Sequence, residues 1–377
     1  MERNPRTMNK ETRRKNTPVQ VDAKRESAGI LKSKTGVLHV GIDLGTSRSA
    51  VAASNGVREM VGSVVGWPKD SVSAKLNGAA PIFGDEALEK RMALNICYPL
   101  VDGNLAYPDL EGVQQASSRN AAIQLMSHLK SLCGATADQA VYAVVGAPAE
   151  ATKENKQAII ALTREAGIDG VMVVSEPFAV AYALDALEDA IVIDIGAGTI
   201  DLCRMAGTLP EHEDQITIFK AGNFVDRAMS ERIRKSYPQA QFTLNMIRKA
   251  KERFSSLLES ESRAIVYFPV DGVPTEIDVT TEVCEAVRLI VPEVVDGIRQ
   301  LVATFDPEFQ EQIRSRVFVS GGGSQIFGLQ GALEEGLQKL GGGKVYIVDD
   351  PIFTGAQGAL KLAQEMPLQY WQQLGSN

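Results

Sequence analysis

An α/β fold built as two lobes is what the sequence predicts, on three observations. Two apolar runs far apart in the chain end in nearly the same words, Gly41-Ile42-Asp43-Leu44-Gly45-Thr46 and Ile193-Asp194-Ile195-Gly196-Ala197-Gly198-Thr199. A third apolar run, Val317-Phe318-Val319-Ser320, also stops on glycines, at Gly321-Gly322-Gly323-Ser324. Between these runs strand-like and helix-like stretches alternate, the pattern of α/β proteins. At 377 residues there is room for two domains or one large two-lobed one.

The elements follow in chain order. Residues 37–44 are apolar up to an aspartate and then turn on glycine, a buried strand feeding a loop. Residues 139–146 form a second apolar strand, and 152–166 carry a helical pattern. Residues 171–174 (Val-Met-Val-Val) form a short strand that runs into Ser175-Glu176-Pro177. The second Asp-Gly sentence spans 190–201, a charged helix is predicted over 244–257, and the third glycine-tipped strand is 317–320.

The repeated loops have the chemistry of two facing phosphate-binding hairpins. Gly41, Gly45, Gly196 and Gly198 lack a Cβ, so backbone N–H groups can converge on an anion. Thr46, Ser47 and Thr199 add hydroxyl donors. Asp43 and Asp194 do the opposite, because a carboxylate beside a phosphate is repulsive unless a cation or an oriented water lies between; they imply hydrated Mg²⁺ or a positioned water.

Competing motifs fail letter by letter. Gly341-Gly342-Gly343-Lys344 is followed by Val345 where a P-loop needs Ser or Thr, and Gln338 stands where its first glycine belongs, so this is a loop before a strand. The third glycine of a dinucleotide fingerprint would fall at Asp201. Three scattered histidines exclude a clustered zinc site and make a hydrolase triad a poor fit. Cys97, Cys133, Cys203 and Cys284 lie far apart and are expected as reduced, mostly buried thiols. No run approaches the roughly 18 apolar residues of a membrane span, and no apolar segment follows the basic residues at the start, so a cytoplasmic protein without membrane insertion is expected. Residues 1–36 carry ten Lys/Arg against four Asp/Glu, whereas the whole chain carries −8, leaving −14 on the remainder. The first 36 residues are therefore expected to be a flexible basic arm, and nothing in the body continues its charge into a nucleic-acid surface.

Asp43-Leu44-Gly45-Thr46-Ser47, the 194–201 segment, Gly321 to Ser324, Ser175-Glu176-Pro177 and the stretch from Asp350-Pro351 to Gly358-Ala359 together resemble the five-motif signature of the superfamily that joins actin, heat-shock chaperones and sugar kinases. The resemblance covers residues 37–362. Tyr98 to Gly103 is similar to a segment of actin and bacterial MreB. The 63–70 segment, Gly207 to Pro210, residues 213–217, Ala221 to Asn223 and the 369–375 segment resemble the MamK family of magnetosome-associated bacterial actins or a close paralogue.

The resemblance implies an actin-like fold in which each lobe has a central mixed sheet flanked by helices, with ATP or ADP and Mg²⁺ in the cleft between them. Domain I would span 37–186 plus 351–377, with a small subdomain over about 56–97. Domain II would span 187–350, with a subdomain over about 208–276. Asp43 would hold magnesium through water, with Asp194 also near the metal; Gly45, Thr46 and Ser47 would cradle phosphate from one lobe, and Gly196, Gly198 and Thr199 from the other. Glu176 and Asp194 would orient the attacking water. Gly321, Gly322, Gly323 and Ser324 would pass beneath the adenine and ribose, and Lys251 and Glu252 match a Lys-Glu pair near the ribose. Ile200 replaces a frequent second Thr, and Arg48, just past the first loop, is read as a surface residue.

The implied function is an ATPase that assembles into cytoplasmic filaments, with hydrolysis driving turnover and with magnetosome organelles positioned in a chain. Its partners would be further copies of itself, a co-assembling paralogous actin and an adaptor on the organelle membrane. A non-polymerising adaptor ATPase of the FtsA or PilM type is the rival, and a small-molecule kinase a weaker one. Only 26 residues follow Asp350-Pro351, room for one returning helix and a short tail, so a chaperone-type substrate domain is not expected. Trp67 and Trp371 are candidates either for subunit contacts or for burial.

Overall fold

The structure, a computed structural model of the chain, describes residues 36–258 and 263–375. The basic arm expected over 1–36 lies outside the described residues except for Gly36.

Two five-stranded sheets repeat one design. In the first, Gly170–Ser175, Gln139–Ala147 and Gly36–Leu44 run parallel, and Gly36–Leu44 continues by hairpin into the antiparallel Arg48–Ala53 and then Arg58–Gly62. In the second, Val345–Ile347, Val317–Ser320 and Glu188–Ile195 run parallel, followed antiparallel by Ile200–Ala206 and Gln215–Ile218. The central strand of each sheet therefore delivers its aspartate, Asp43 or Asp194, to the same end, and the first hairpin turn of each sheet is a glycine loop. Both central strands are apolar almost throughout because helices cover both faces.

Each sheet carries its own core, one around Val40, Ile42, Leu125 and Val145, the other around Ile191, Ile193, Leu202 and Ile298. Thr354–Glu365 returns to pack on the first sheet and on the helix Glu176–Ala183. It lies so close that a Cβ at Gly358 would sit 1.8 Å from the Ala179 carbonyl oxygen, so only glycine fits there. Each lobe also bears a small addition: the sheet of Val65–Pro68, Ile82–Phe83 and Leu94–Cys97 on the first, and the hairpin of Ile265–Val270 and Val273–Asp278 on the second.

Local sequence sets the helix ends. Thr152 caps Lys153–Glu165 by accepting from the Asn155 N–H at 3.2 Å, and Thr243 caps Leu244–Phe254 by accepting from Met246 at 3.3 Å. The latter helix stops three residues before the predicted Leu257. Beyond Phe254 the chain straightens to exchange backbone hydrogen bonds with Phe327, Phe327 N–H to the Ser255 carbonyl and Leu257 N–H to the Phe327 carbonyl. After Asp350-Pro351 there are two helices rather than one, since Pro367 ends the first and Leu368–Gly375 begins a second. That second helix carries Trp371, which is fully buried, stacks on Tyr142 at 5.1 Å and donates its indole N–H to the Ala363 carbonyl; it is core, not a subunit contact. Trp67 is half-buried against the first core. The four cysteines are free thiols, three of them buried.

Candidate active site

The carboxyl ends of the two central strands face one cleft of about 520 Å³. Asp43, Gly45, Thr46 and Ser47 line it from the first lobe, and Asp194, Gly196, Gly198 and Thr199 from the second. Glu176 enters from the first lobe as the opening residue of its helix, with Pro177 behind it. Lys251, Glu252 and Gly321 to Gly323 line the remainder.

Both loops are braced from behind. In the first, the Ser63 hydroxyl donates to the Gly45 carbonyl at 2.6 Å and the Ser63 N–H to the Ser47 carbonyl at 2.9 Å. In the second, Gly196 N–H closes the turn on the Thr199 carbonyl, while Gly222 and Asn223, at the start of the helix Gly222–Ser236, donate to the carbonyls of Gly196 and Ala197. With carbonyls turned outward onto these donors, loop amides are left to face an anion. A turn of the first lobe also touches the first loop. The Gly103 N–H donates to the Thr46 hydroxyl oxygen at 2.7 Å, leaving the Thr46 proton to donate elsewhere. Asp102 and Gly103 turn through φ of 46° and 77° to make this contact.

Burial pushes the Asp43 carboxyl up from 3.8 to about 6. Burial also drives Glu176 and Asp194 well above the ordinary carboxylate range, and repulsion from Asp43 and Asp201 adds to it. Carboxyls buried and crowded in this way are neutralised either by protons or by a bound cation. Among the described residues no three His, Cys, Asp or Glu side chains are grouped to hold a metal directly. The donor set therefore fits a hydrated Mg²⁺ that takes its remaining ligands from water and phosphate, as that ion does with nucleotides.

Two expectations are revised, and Ile200 finds its place. Ser324 does not line the cleft: it is buried, and its hydroxyl donates to the Gly321 carbonyl at 2.7 Å, closing the loop that the three glycines expose. Arg48 is exposed but not idle, since it lines the cleft and its Nη2 reaches Glu252 Oε2 at 2.8 Å, joining the lobes across the mouth. Ile200 is fully buried in the second core, so its replacement of Thr removes no group from the cleft. Lys251 is held in place, its Nζ at 2.8 Å from both Asp226 and the Gly222 carbonyl.

Sequence reasoning also missed cleft residues. Phe327, 55% exposed, and Ile326 and Ile290 supply an apolar wall on the second lobe. Their signal was weak, because isolated apolar residues after a glycine loop look like ordinary core.

A profile of the MreB/Mbl protein family matches residues 37–369. The actin-like protein MamK of Paramagnetospirillum magneticum is 40% identical over 340 residues, 90% of this chain and 95% of that protein. Among solved structures, a MamK double helical filament superposes with a TM-score of 0.84 at 38% identity, covering 88% of this chain and all of that one. A non-polymerising MamK mutant bound to AMPPNP gives a TM-score of 0.66 at 38% identity, covering 88% of this chain and 99% of that one.

Proposed function

The chain belongs to the MreB/Mbl protein family, and from that premise we propose that it is an ATP-dependent cytoskeletal protein that polymerises head-to-tail into cytoplasmic filaments and hydrolyses ATP to turn them over. The observation that carries the catalytic half is the meeting of two glycine hairpins and three crowded carboxyls in one cleft between duplicated sheets. Amides of both loops, that of Thr199 among them, with the hydroxyls of Thr46 and Ser47, grip the phosphates. Glu176 and Asp194 hold the attacking water in line, positioning being most of what phosphoryl transfer requires. Magnesium, when bound near Asp43 and Asp194, neutralises charge on the phosphate oxygens. The glycines of 321–323 and the wall of Ile326 and Phe327 leave a flat slot for the adenine, and Lys251 and Glu252 flank the ribose.

The polymer half rests on kinship with a protein solved as a double helical filament. One face of a subunit meeting a different face of the next, repeated without closure, gives an open filament, and nucleotide that draws the lobes together changes the fit of those faces. The likeness to MamK carries the further proposal that the filament holds magnetosome organelles in a chain. An adaptor on the organelle membrane and a co-assembling paralogous actin belong to the same proposal. No described helix is long and apolar enough to cross a membrane.

The test is sedimentation with phosphate release for the protein in ATP–Mg²⁺, beside Glu176→Ala and a form lacking residues 1–36. The parent is expected to pellet and release phosphate. Glu176→Ala is expected to pellet, release phosphate roughly 10²- to 10⁴-fold more slowly and disassemble slowly. Nucleotide binding without sedimentation at any protein or salt concentration would put an adaptor ATPase in place of the filament.

A further inference from the structure

One buried carboxylate ties the lobes together beneath the phosphates. Asp201 lies directly across the hairpin from Asp194 and is fully buried. Its Oδ1 accepts the Ala149 N–H at 2.7 Å and the Thr217 hydroxyl at 2.6 Å, and the Thr199 hydroxyl is a further partner. Ala149 follows a strand of the first lobe, whereas Thr199 and Thr217 belong to the second. The contact is doubled at its edge, where the Glu150 N–H donates to Thr217 Oγ1 at 3.0 Å and the Thr217 N–H to Glu150 Oε2 at 2.7 Å. Asp201 Oδ2 is buried with no hydrogen-bond partner among the described residues.

Burying a carboxylate is expensive, and the flanking Ile200 and Leu202 turn to the other face of the strand, into the second lobe's core, so Asp201 sits on the opposite face held by polar partners rather than by that core. What it does is join three groups that belong to different parts of the cleft: the first lobe's backbone, the edge strand of the second lobe, and a phosphate-loop threonine. We propose that Asp201 is a positioning residue for ATP hydrolysis, fixing the Thr199 loop against the first lobe so that the two phosphate loops share one geometry. The inference rests on the ATPase reading above and adds to it a residue that does not line the cleft. Because Asp201 acts through Thr199 and Ala149, its loss falls on the rate of the chemical step more than on nucleotide affinity.

The experiment compares Asp201→Ala, Asp201→Asn and Thr217→Val with the parent in three measurements: equilibrium binding of a fluorescent ATP analogue, single-turnover hydrolysis, and the distance between spin labels on the lobes. Labels go on Val72→Cys and Val273→Cys, both more than 60% exposed, in a Cys97→Ser background, the other cysteines being buried. Asp201→Ala is expected to slow single-turnover hydrolysis roughly 100-fold, the scale of a displacement of about 1 Å at a reacting centre, with affinity changed less than about 5-fold. Asp201→Asn, whose carbonyl can still accept from Ala149 and Thr217, is expected to recover the rate to within about 10-fold of the parent. Thr217→Val, which touches no nucleotide, is expected to fall in between. With a non-hydrolysable analogue the label distance should narrow in the parent and stay broad in Asp201→Ala. The proposal is overturned if Asp201→Ala hydrolyses within about 3-fold of the parent. It is also overturned if Ala and Asn lose binding and rate together, or if the Ala variant closes like the parent. A parent that binds nucleotide without hydrolysing it would remove the ATPase reading, and the label distances would still decide whether Asp201 couples the lobes.

Discussion

Gly198→Ala tests whether the cleft works by closing two lobes onto a phosphate. Gly198 has no need of a left-handed backbone, so an alanine meets no conformational penalty there and the effect is steric. Its Cβ would lie 2.3 Å from the Thr46 hydroxyl oxygen, 2.6 Å from the Gly103 nitrogen and 2.7 Å from the Asp102 Cα, all on the first lobe. Thr46 can rotate away, at the loss of its hydrogen bond from Gly103, about 1 kcal/mol. The other two contacts are backbone and can be relieved only by moving the hairpin or opening the cleft, a further ~1–2 kcal/mol of overpacking. A penalty of roughly 2–3 kcal/mol on the closed state weakens nucleotide binding by about 30- to 150-fold. The assay is titration with a fluorescent ATP analogue, with thermal melting of the nucleotide-free protein alongside. The melt should move little, since opening the lobes relieves the clash without disturbing either core. Gly331→Ala, in a helix and facing open space, is the control, expected to leave binding unchanged and to stabilise slightly. Nucleotide affinity within threefold of the parent for Gly198→Ala would refute the closure argument.

Two further predictions concern stability. Asp43 is held up at about 6 against an ordinary 3.8, so the folded nucleotide-free protein binds its proton more tightly than the unfolded chain does; the contribution is complete below the ordinary value and is lost as pH rises through about 6. Melting in a chelator should therefore show a fall over this window that is flatter in Asp43→Asn, and added Mg²⁺ with nucleotide should oppose it; equal pH slopes for the two proteins would count against the burial of the Asp43 carboxyl. Trp371→Ala removes a fully buried indole and its hydrogen bond, and should lower stability by roughly 3–5 kcal/mol in denaturant titration. An effect confined to sedimentation, with stability unchanged, would instead return Trp371 to the subunit interface.

Much of the site could be read before the structure because its chemistry is local. A strand that ends on an aspartate and a glycine loop makes its own turn, and the spacing within five or six residues fixes which groups face the cleft. Asp43, Thr46, Asp194 and Thr199 were legible for that reason, and all four line the cleft. Ser324 was misjudged because the same loop that exposes glycines must also be closed, and a serine three residues on closes it by turning inward. The partners of Arg48, Thr46 and Asp201 stand 204, 57 and 52 residues away. No local pattern reports a pairing at that range.

The sequence by itself determined the alternation of strands and helices, the two glycine loops and the aspartates beside them, since each follows from propensity and charge within a short window. Only the tertiary structure decided that the two sheets share one topology, that Arg48 spans the mouth to Glu252, and that Asp201 holds the first lobe to the second. Those are contacts between surfaces that exist only after each lobe has folded. Their energies depend on distance and burial, and neither quantity is written in the order of residues along a chain.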